Sequence, residues 1–278
     1  MNTPQGRRPA GLDNAIARLG GAARRKDLLA RGFSRWQIER AVGSGRIRHA
    51  GRGVYALPGS TALDVRLAEN QARRTCLSKV ADLGLWVLQE PRLIHVAAAH
   101  GRAIPGCVVH RVSGSMDLFD ILRLCVRCSM DLEALVILES AVVKNVCSIG
   151  QLRETFAGRR DARARRILDM IDPQAMSPIE TVGRYRIRAA GYNFQGQAKV
   201  RGVGHQDGLV EGVLGIEFDG EPYHNNAEAF AEDLRRGNAA VIAGVPTLHF
   251  SGKTVLYRPD VMLRDIAAAL KTIRSAHR

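Results

Sequence analysis

The order of patterns after residue 176 constrains the fold of this chain most tightly. Ser177-Pro178-Ile179-Glu180 opens a helix predicted over 177–190. Ser suits the N-cap, Pro the first helical position, and Glu three residues after Ser completes a capping box. Strand-like runs follow at about 195–202, 205–210 and 213–219, then a helix over 226–243, a strand over 246–251 and a closing helix over 260–275. The order αβββαβα belongs to a mixed α/β layer, in which helices cover a sheet that they interrupt.

Acids punctuate this stretch. Glu180 stands on the first helix, Asp207 in the second strand-like run, and Glu217 and Asp219 in Gly215-Ile216-Glu217-Phe218-Asp219-Gly220, with His224 close behind. Carboxylates on a helix start and two neighbouring strands are the hard oxygen ligands that hold Mg²⁺ or Mn²⁺ against a phosphodiester. Each acid also has a plainer reading. Glu180 serves as a cap, Asp207-Gly208 as a turn, and Asp219-Gly220 as the end of a strand. Glu217 is hardest to explain structurally. The apolar run Val213–Phe218 reads as buried on both faces, where an unpaired carboxylate is costly.

The N-terminal segment has a different pattern. Helical runs are predicted at Asp13–Leu19 and Arg24–Ala30, and Gly32 breaks the second. Ser34-Arg35-Trp36-Gln37 then starts a third helix with its own capping box. Ile38, Ala41 and Val42 line one face of that helix, leaving Arg35, Gln37 and Arg40 outward. Arg46–Leu57 alternates around a glycine turn as a hairpin does, with Arg46, Arg48 and Arg52 on it. Helix, turn, helix and basic hairpin make a winged helix-turn-helix. Charge agrees: residues 1–60 hold twelve Lys and Arg against three acids, +9 of the net +14, and the rest is nearly balanced. A basic footprint of that kind points to double-stranded DNA, with Arg35, Gln37 and Arg40 toward the major groove and Arg46, Arg48 and Arg52 toward phosphates or the minor groove.

Two linkers, Pro58-Gly59-Ser60-Thr61 and Ile171–Met176, divide the 278 residues into domains at 1–60, 61–176 and 177–278. The middle domain mixes helices (64–81, 131–143, 149–156) with strands at 93–98 and 107–112, and shows no catalytic constellation. His95, His100 and His110 read as structural residues near strands, and Cys125-x-x-Cys128 lacks the second ligand pair of a structural zinc site. Arg159, Arg160, Arg163, Arg165 and Arg166 form a basic helical run that could touch phosphate but reads first as a solvated face. Five cysteines at irregular spacing suit a reducing compartment, and no stretch approaches the roughly 20 apolar residues of a membrane span. A cytoplasmic protein with no membrane partner is expected.

Two resemblances attach to these motifs. Residues 177–275 resemble the PD-(D/E)XK nuclease superfamily, more closely its very-short-patch-repair (Vsr-like) endonuclease branch. That resemblance implies Glu180 as the helix acid, Asp207 as principal metal ligand, Glu217 as second-strand acid and the Phe218 carbonyl as a further ligand. It also implies His224 as general acid or base, with Asp219 orienting it or binding metal. The superfamily pattern asks for Lys where this chain has Asp219; the Vsr-like branch also lacks that Lys. Leu28–Ser34, Gly45-Arg46-Ile47 and Gly51–Leu57 are similar to the helix-turn-helix and wing of AbiEi-type antitoxins. That likeness implies operator binding, repression of the antitoxin's own operon and a cognate toxin. Three functions follow: a Mg²⁺-dependent (or Mn²⁺-dependent) DNA endonuclease delivered by a winged helix, an antitoxin-like autorepressor with a retired nuclease fold, or a protein-docking module.

Overall fold

The computed structural model describes residues 11–201, 203–219 and 227–276. The chain divides into two compact units. One holds the N-terminal segment through Lys79 together with Glu90–Ile121; the other holds Val80–Gln89 and Leu122 onward. The sequence reading instead cuts the chain at 60 and 176.

The first unit begins with α1 (Leu12–Arg18), β1 (Ala22–Arg24), α2 (Arg25–Leu29), α3 (Arg35–Gly43), β2 (Arg48–Gly51) and β3 (Val54–Ala56). Its sheet runs β1-β3-β2, all antiparallel. This is a winged helix, and β1, too short to show periodicity, is the strand the sequence reading lacked. The start of α3 is fixed as expected: the Gln37 N–H donates to Ser34 Oγ (3.2 Å) and the Ser34 N–H donates to Gln37 Oε1 (2.7 Å). Leu12, Ile16, Leu28, Ile38, Ala41, Ile47 and Tyr55 form the core. Full burial of each large side chain contributes about 1.5–3 kcal/mol. Gly53 takes φ +71° at the tip of the hairpin, a conformation that costs an L side chain about 1 kcal/mol or more.

The unit continues with α4 (Ala62–Glu69), capped by Thr61, then β4 (Arg73–Arg74), α5 (Leu77–Val80), β5 (Ile94–Ala98) and β6 (Cys107–Arg111). The single helix expected over 64–81 is therefore broken. Asn70 ends α4 and Gln71 turns back at φ +55°. The small sheet runs β4-β5-β6, with β5 and β6 parallel.

The second unit contains α6 (Leu118–Cys128) from Leu122 onward, α7 (Asp131–Val143), α8 (Ile149–Thr155), α9 (Ala162–Leu168), α10 (Pro178–Ala189), β7 (Phe194–Val200), β8 (Gly204–Val210) and β9 (Leu214–Asp219). It closes with α11 (Ala227–Ile242), β10 (Thr247–Ser251), α12 (Gly252–Tyr257) and α13 (Pro259–Ala276). From α10 onward the order is the expected αβββαβα with one short extra helix, α12. The sheet runs β10-β9-β8-β7: an antiparallel meander whose third strand takes β10 in parallel, α11 lying between them in sequence. Val182 and Ile187 of α10, Leu214, Ile216 and Phe218 of β9, and Met262, Ile266 and Leu270 of α13 share its core. The approach of α10 is close. A Cβ on Gly183 would lie 2.2 Å from the Phe218 ring, so only glycine fits there. Helix α7 belongs to the same core, because Glu139 at its centre is wholly buried and ion-paired with Arg184 of α10. That pair ties residues assigned by sequence to a middle domain into the C-terminal one.

Candidate functional site

Helix α3 is amphipathic. Ile38 and Ala41 are 1% and 0% exposed, so they lock the inner face, and this orients Arg35, Trp36, Gln37, Glu39 and Arg40 to solvent. The polar tips are partly committed. Gln37 Oε1 is held by the capping box, which leaves its amide NH₂ as the side chain's donor. Arg40 stacks its guanidinium 5.0 Å from the Trp36 ring centroid, and Trp36 is 64% exposed. An aromatic that large on the outer face of a cationic helix is the residue the sequence reading passed over. The available signal was its position between Arg35 and Gln37, out of phase with Ile38 and Ala41.

The wing carries the other cations. Arg46, Arg48 and Arg52 are all exposed. Arg48 Nη2 donates to the Ser60 carbonyl (3.0 Å), while Arg46 reaches Asp13 at 3.5 Å. At these exposures such contacts contribute about 0–1 kcal/mol. The wing is stiffened from behind by Tyr55, which is buried, accepts from Arg25 Nη2 at 2.6 Å and packs edge-on against His49 at 5.3 Å. The module therefore offers two sets of cations, one on a helix and one on a hairpin, held by a single core.

The acids of the second unit are placed differently from one another. Glu180 is buried, and its Oε2 accepts from the Met176 N–H (3.0 Å) and from Gln197 Nε2 (2.8 Å). Ser177 Oγ does accept from the Glu180 N–H (3.1 Å), but the Glu180 carboxylate passes the Ser177 N–H for Met176 and β7, so only half of the expected capping box forms. The β8–β9 ladder stops at Gly208↔Ile216, and beyond it Asp207 Oδ2 takes the Phe218 N–H at 2.7 Å, substituting a side chain for the missing ladder partner. Glu217 is half-buried, not enclosed on both faces as its apolar run suggested, because the run alternates: Ile216 and Phe218 enter the core while Glu217 and Asp219 leave it. Across the parallel β9–β10 ladder Glu217 pairs with His249, whose Nδ1 lies 3.4 Å from Asp219 Oδ2. His249 thus brings an imidazole beside these acids. Its register opposite Glu217 could not be read before the parallel pairing was known. His224 lies outside the described residues. The Phe218 side chain sits in the core. Among the described residues these acids do not form a group of three ligand atoms at metal-binding separation.

Elsewhere the sequence expectations divide. In the basic run, Arg163 donates to Asp131 Oδ1 (2.6 Å) and the Ser129 carbonyl (2.7 Å), and Arg165 to the Gly158 carbonyl (2.7 Å). Those two arginines brace loops, and Arg165 is exposed. His100 is satisfied by the Asn70 carbonyl at 2.8 Å, as a structural histidine should be. His95 and His110 are not isolated, since their rings stack with centroids 5.4 Å apart. No helix of the described residues is long and apolar enough to cross a membrane.

Residues 12–58 match a family described as transcriptional regulator, AbiEi antitoxin. The matched span begins at the first residue of α1 and ends just after β3, so it coincides with the winged helix. No curated protein matches the chain.

Proposed function

We propose that this chain is a DNA-binding transcriptional regulator of the antitoxin kind, which seats α3 in the major groove and lays its wing along the adjacent backbone. The observation that carries the reading is the outward face of α3 beside the wing. Arg35, Gln37 and Arg40 are exposed on a helix whose inner face is fixed by Ile38 and Ala41, and Arg46, Arg48 and Arg52 flank it. Arginine on a helix face can donate both its N–H groups to a guanine edge, and wing arginines meet phosphates without regard to sequence. The match of residues 12–58 to antitoxin-type regulators supports this, and suggests an operon shared with a toxin as the target of repression. Fluorescence anisotropy of the full chain on duplex DNA tests it. Each phosphate contact contributes about 0.9 to the slope of log K against log salt, so Arg48→Ala and Arg52→Ala should each flatten the slope by about 1. Unchanged affinity and slope in both variants would refute the wing's role.

A second reading, a Mg²⁺-dependent DNA endonuclease, is favoured by one observation. The αβββαβα order, with β10 parallel to β9, brings His249 against Asp219 and Glu217. Against it stand the committed partners of Glu180 and Asp207 and the absence of Lys at 219. Metal-dependent nicking that Asp207→Ala abolishes would establish the endonuclease; its absence leaves a regulator on a nuclease-like scaffold.

A further inference from the structure

We propose that Cys76, His95 and His110 form a zinc site in the first unit, independent of the DNA-binding surface. The three residues are far apart in sequence and the fold assembles them. In the parallel β5–β6 ladder His95 is level with Val108 and His110 with Ala97, an offset of two residues that puts both imidazoles on one face of the sheet. Cys76 lies between β4, which pairs with β5, and α5. One ligand atom from each residue falls within 4.8 Å of the others, and His95 Nδ1 is 3.2 Å from His110 Nε2. Zinc held at about 2.0–2.1 Å from nitrogen and about 2.3 Å from sulfur in a tetrahedron spaces neighbouring donors about 3.3–3.8 Å apart, so a small inward closure of this cluster suffices.

Three further features point the same way. Cys76 is wholly buried yet holds φ +50°, a backbone conformation that a non-glycine residue adopts at a cost of about 1 kcal/mol or more and that turns up where a side chain must be aimed. Two neutral imidazoles can share only one N–H···N bond, whereas a cation takes a lone pair from each. The donor chemistry also selects the metal: imidazole and thiolate suit zinc, while Mg²⁺ and Ca²⁺ demand oxygen. A fourth donor, from protein or water, completes the tetrahedron. The predicted role is a staple joining β5, β6 and the segment that follows β4, since metal affinity of this kind is also folding free energy.

The test uses the untagged full chain, loaded with Zn²⁺, dialysed and assayed by elemental analysis, then reloaded with Co²⁺. The wild type should retain about one zinc per chain, and cobalt should give tetrahedral d–d bands with a thiolate charge-transfer band. Cys76→Ser should weaken the charge-transfer band at least twofold, and His95→Ala with His110→Ala should lower zinc affinity at least tenfold. Cys147→Ser, at a buried cysteine in the other unit, should change neither. A wild-type chain that keeps no zinc after dialysis would overturn the proposal without recourse to any variant. So would zinc retained at full affinity when Cys76, His95 and His110 are all replaced.

Discussion

Replacing Arg184 by Met probes how the second unit is held together. Glu139 in α7 is wholly buried, and its carboxylate accepts from the Asp172 N–H at 2.6 Å, from Thr181 Oγ1 and from Arg184 Nη2. Arg184 is only 3% exposed, so the variant leaves a buried carboxylate without its counter-ion. Removing one partner of such a pair costs about 3–5 kcal/mol. For a domain of this size that is a fall in Tm of about 6–20 °C. The pH dependence has a definite sign. Desolvation already raises the Glu139 pKa above its ordinary 4.5, and Arg184 is the main influence opposing it. Without Arg184 the folded-state pKa climbs further, so the native state binds a proton the unfolded chain does not. Stability then falls as pH rises from about 4.5 through the folded pKa, and the deficit is smallest in acid. Thermal melts of wild type, Arg184→Met and Glu139→Leu/Arg184→Met across that range form the assay. The double variant should recover most of the loss, because apolar replacement of the whole pair removes both desolvated charges. A single variant that loses less than about 1 kcal/mol at every pH would refute the reasoning.

Other outcomes follow from the geometry. Ser34→Ala should destabilise the winged helix by about 1 kcal/mol, read by urea unfolding, because the Gln37 N–H loses its acceptor. Gly183→Leu should abolish the close seating of α10 on Phe218 and lower the Tm of the second unit by more than any single surface change. Metal-free protein should lose stability as pH falls below 6.5, because the unfolded chain protonates its histidines before the buried His95 and His110 do; a melt that is flat from pH 8 to 5 would contradict this. Arg35→Ala should lower affinity for a preferred duplex by about 1–3 kcal/mol and relax discrimination at one base pair, measured by competition between duplexes.

Local rules read some of this molecule well. The capping box at Ser34, the phase of Ile38 and Ala41 and the glycine at the wing tip are each decided within a few residues, so α3 and the hairpin were legible. The αβββαβα order was legible for the same reason, since α10 and the strands that follow each announce themselves in caps and alternation. What escaped depends on distant pairing. Glu217 reads as buried in its apolar run, but its burial is set by which face of β9 it leaves by. The β10 register that sets His249 opposite it reaches from residue 217 to residue 249, across a helix. Helix α4 stops at Asn70 because Gln71 turns left-handed, which no periodicity reveals. His95 and His110 look isolated until β5 and β6 are known to be parallel neighbours, and Cys76 has no spacing signature that links it to them.

The most direct measurement of the central claim is a combined binding and cleavage assay on supercoiled plasmid. The full chain and an Arg35→Ala/Arg48→Ala/Arg52→Ala variant are incubated with Mg²⁺ or with EDTA, and mobility shift and topology are read from the same gel. A regulator that binds through α3 and the wing should shift the plasmid equally with Mg²⁺ or EDTA, leave it supercoiled, and lose most of the shift in the triple variant. A shift that survives the triple replacement, or nicking that requires Mg²⁺, would contradict it.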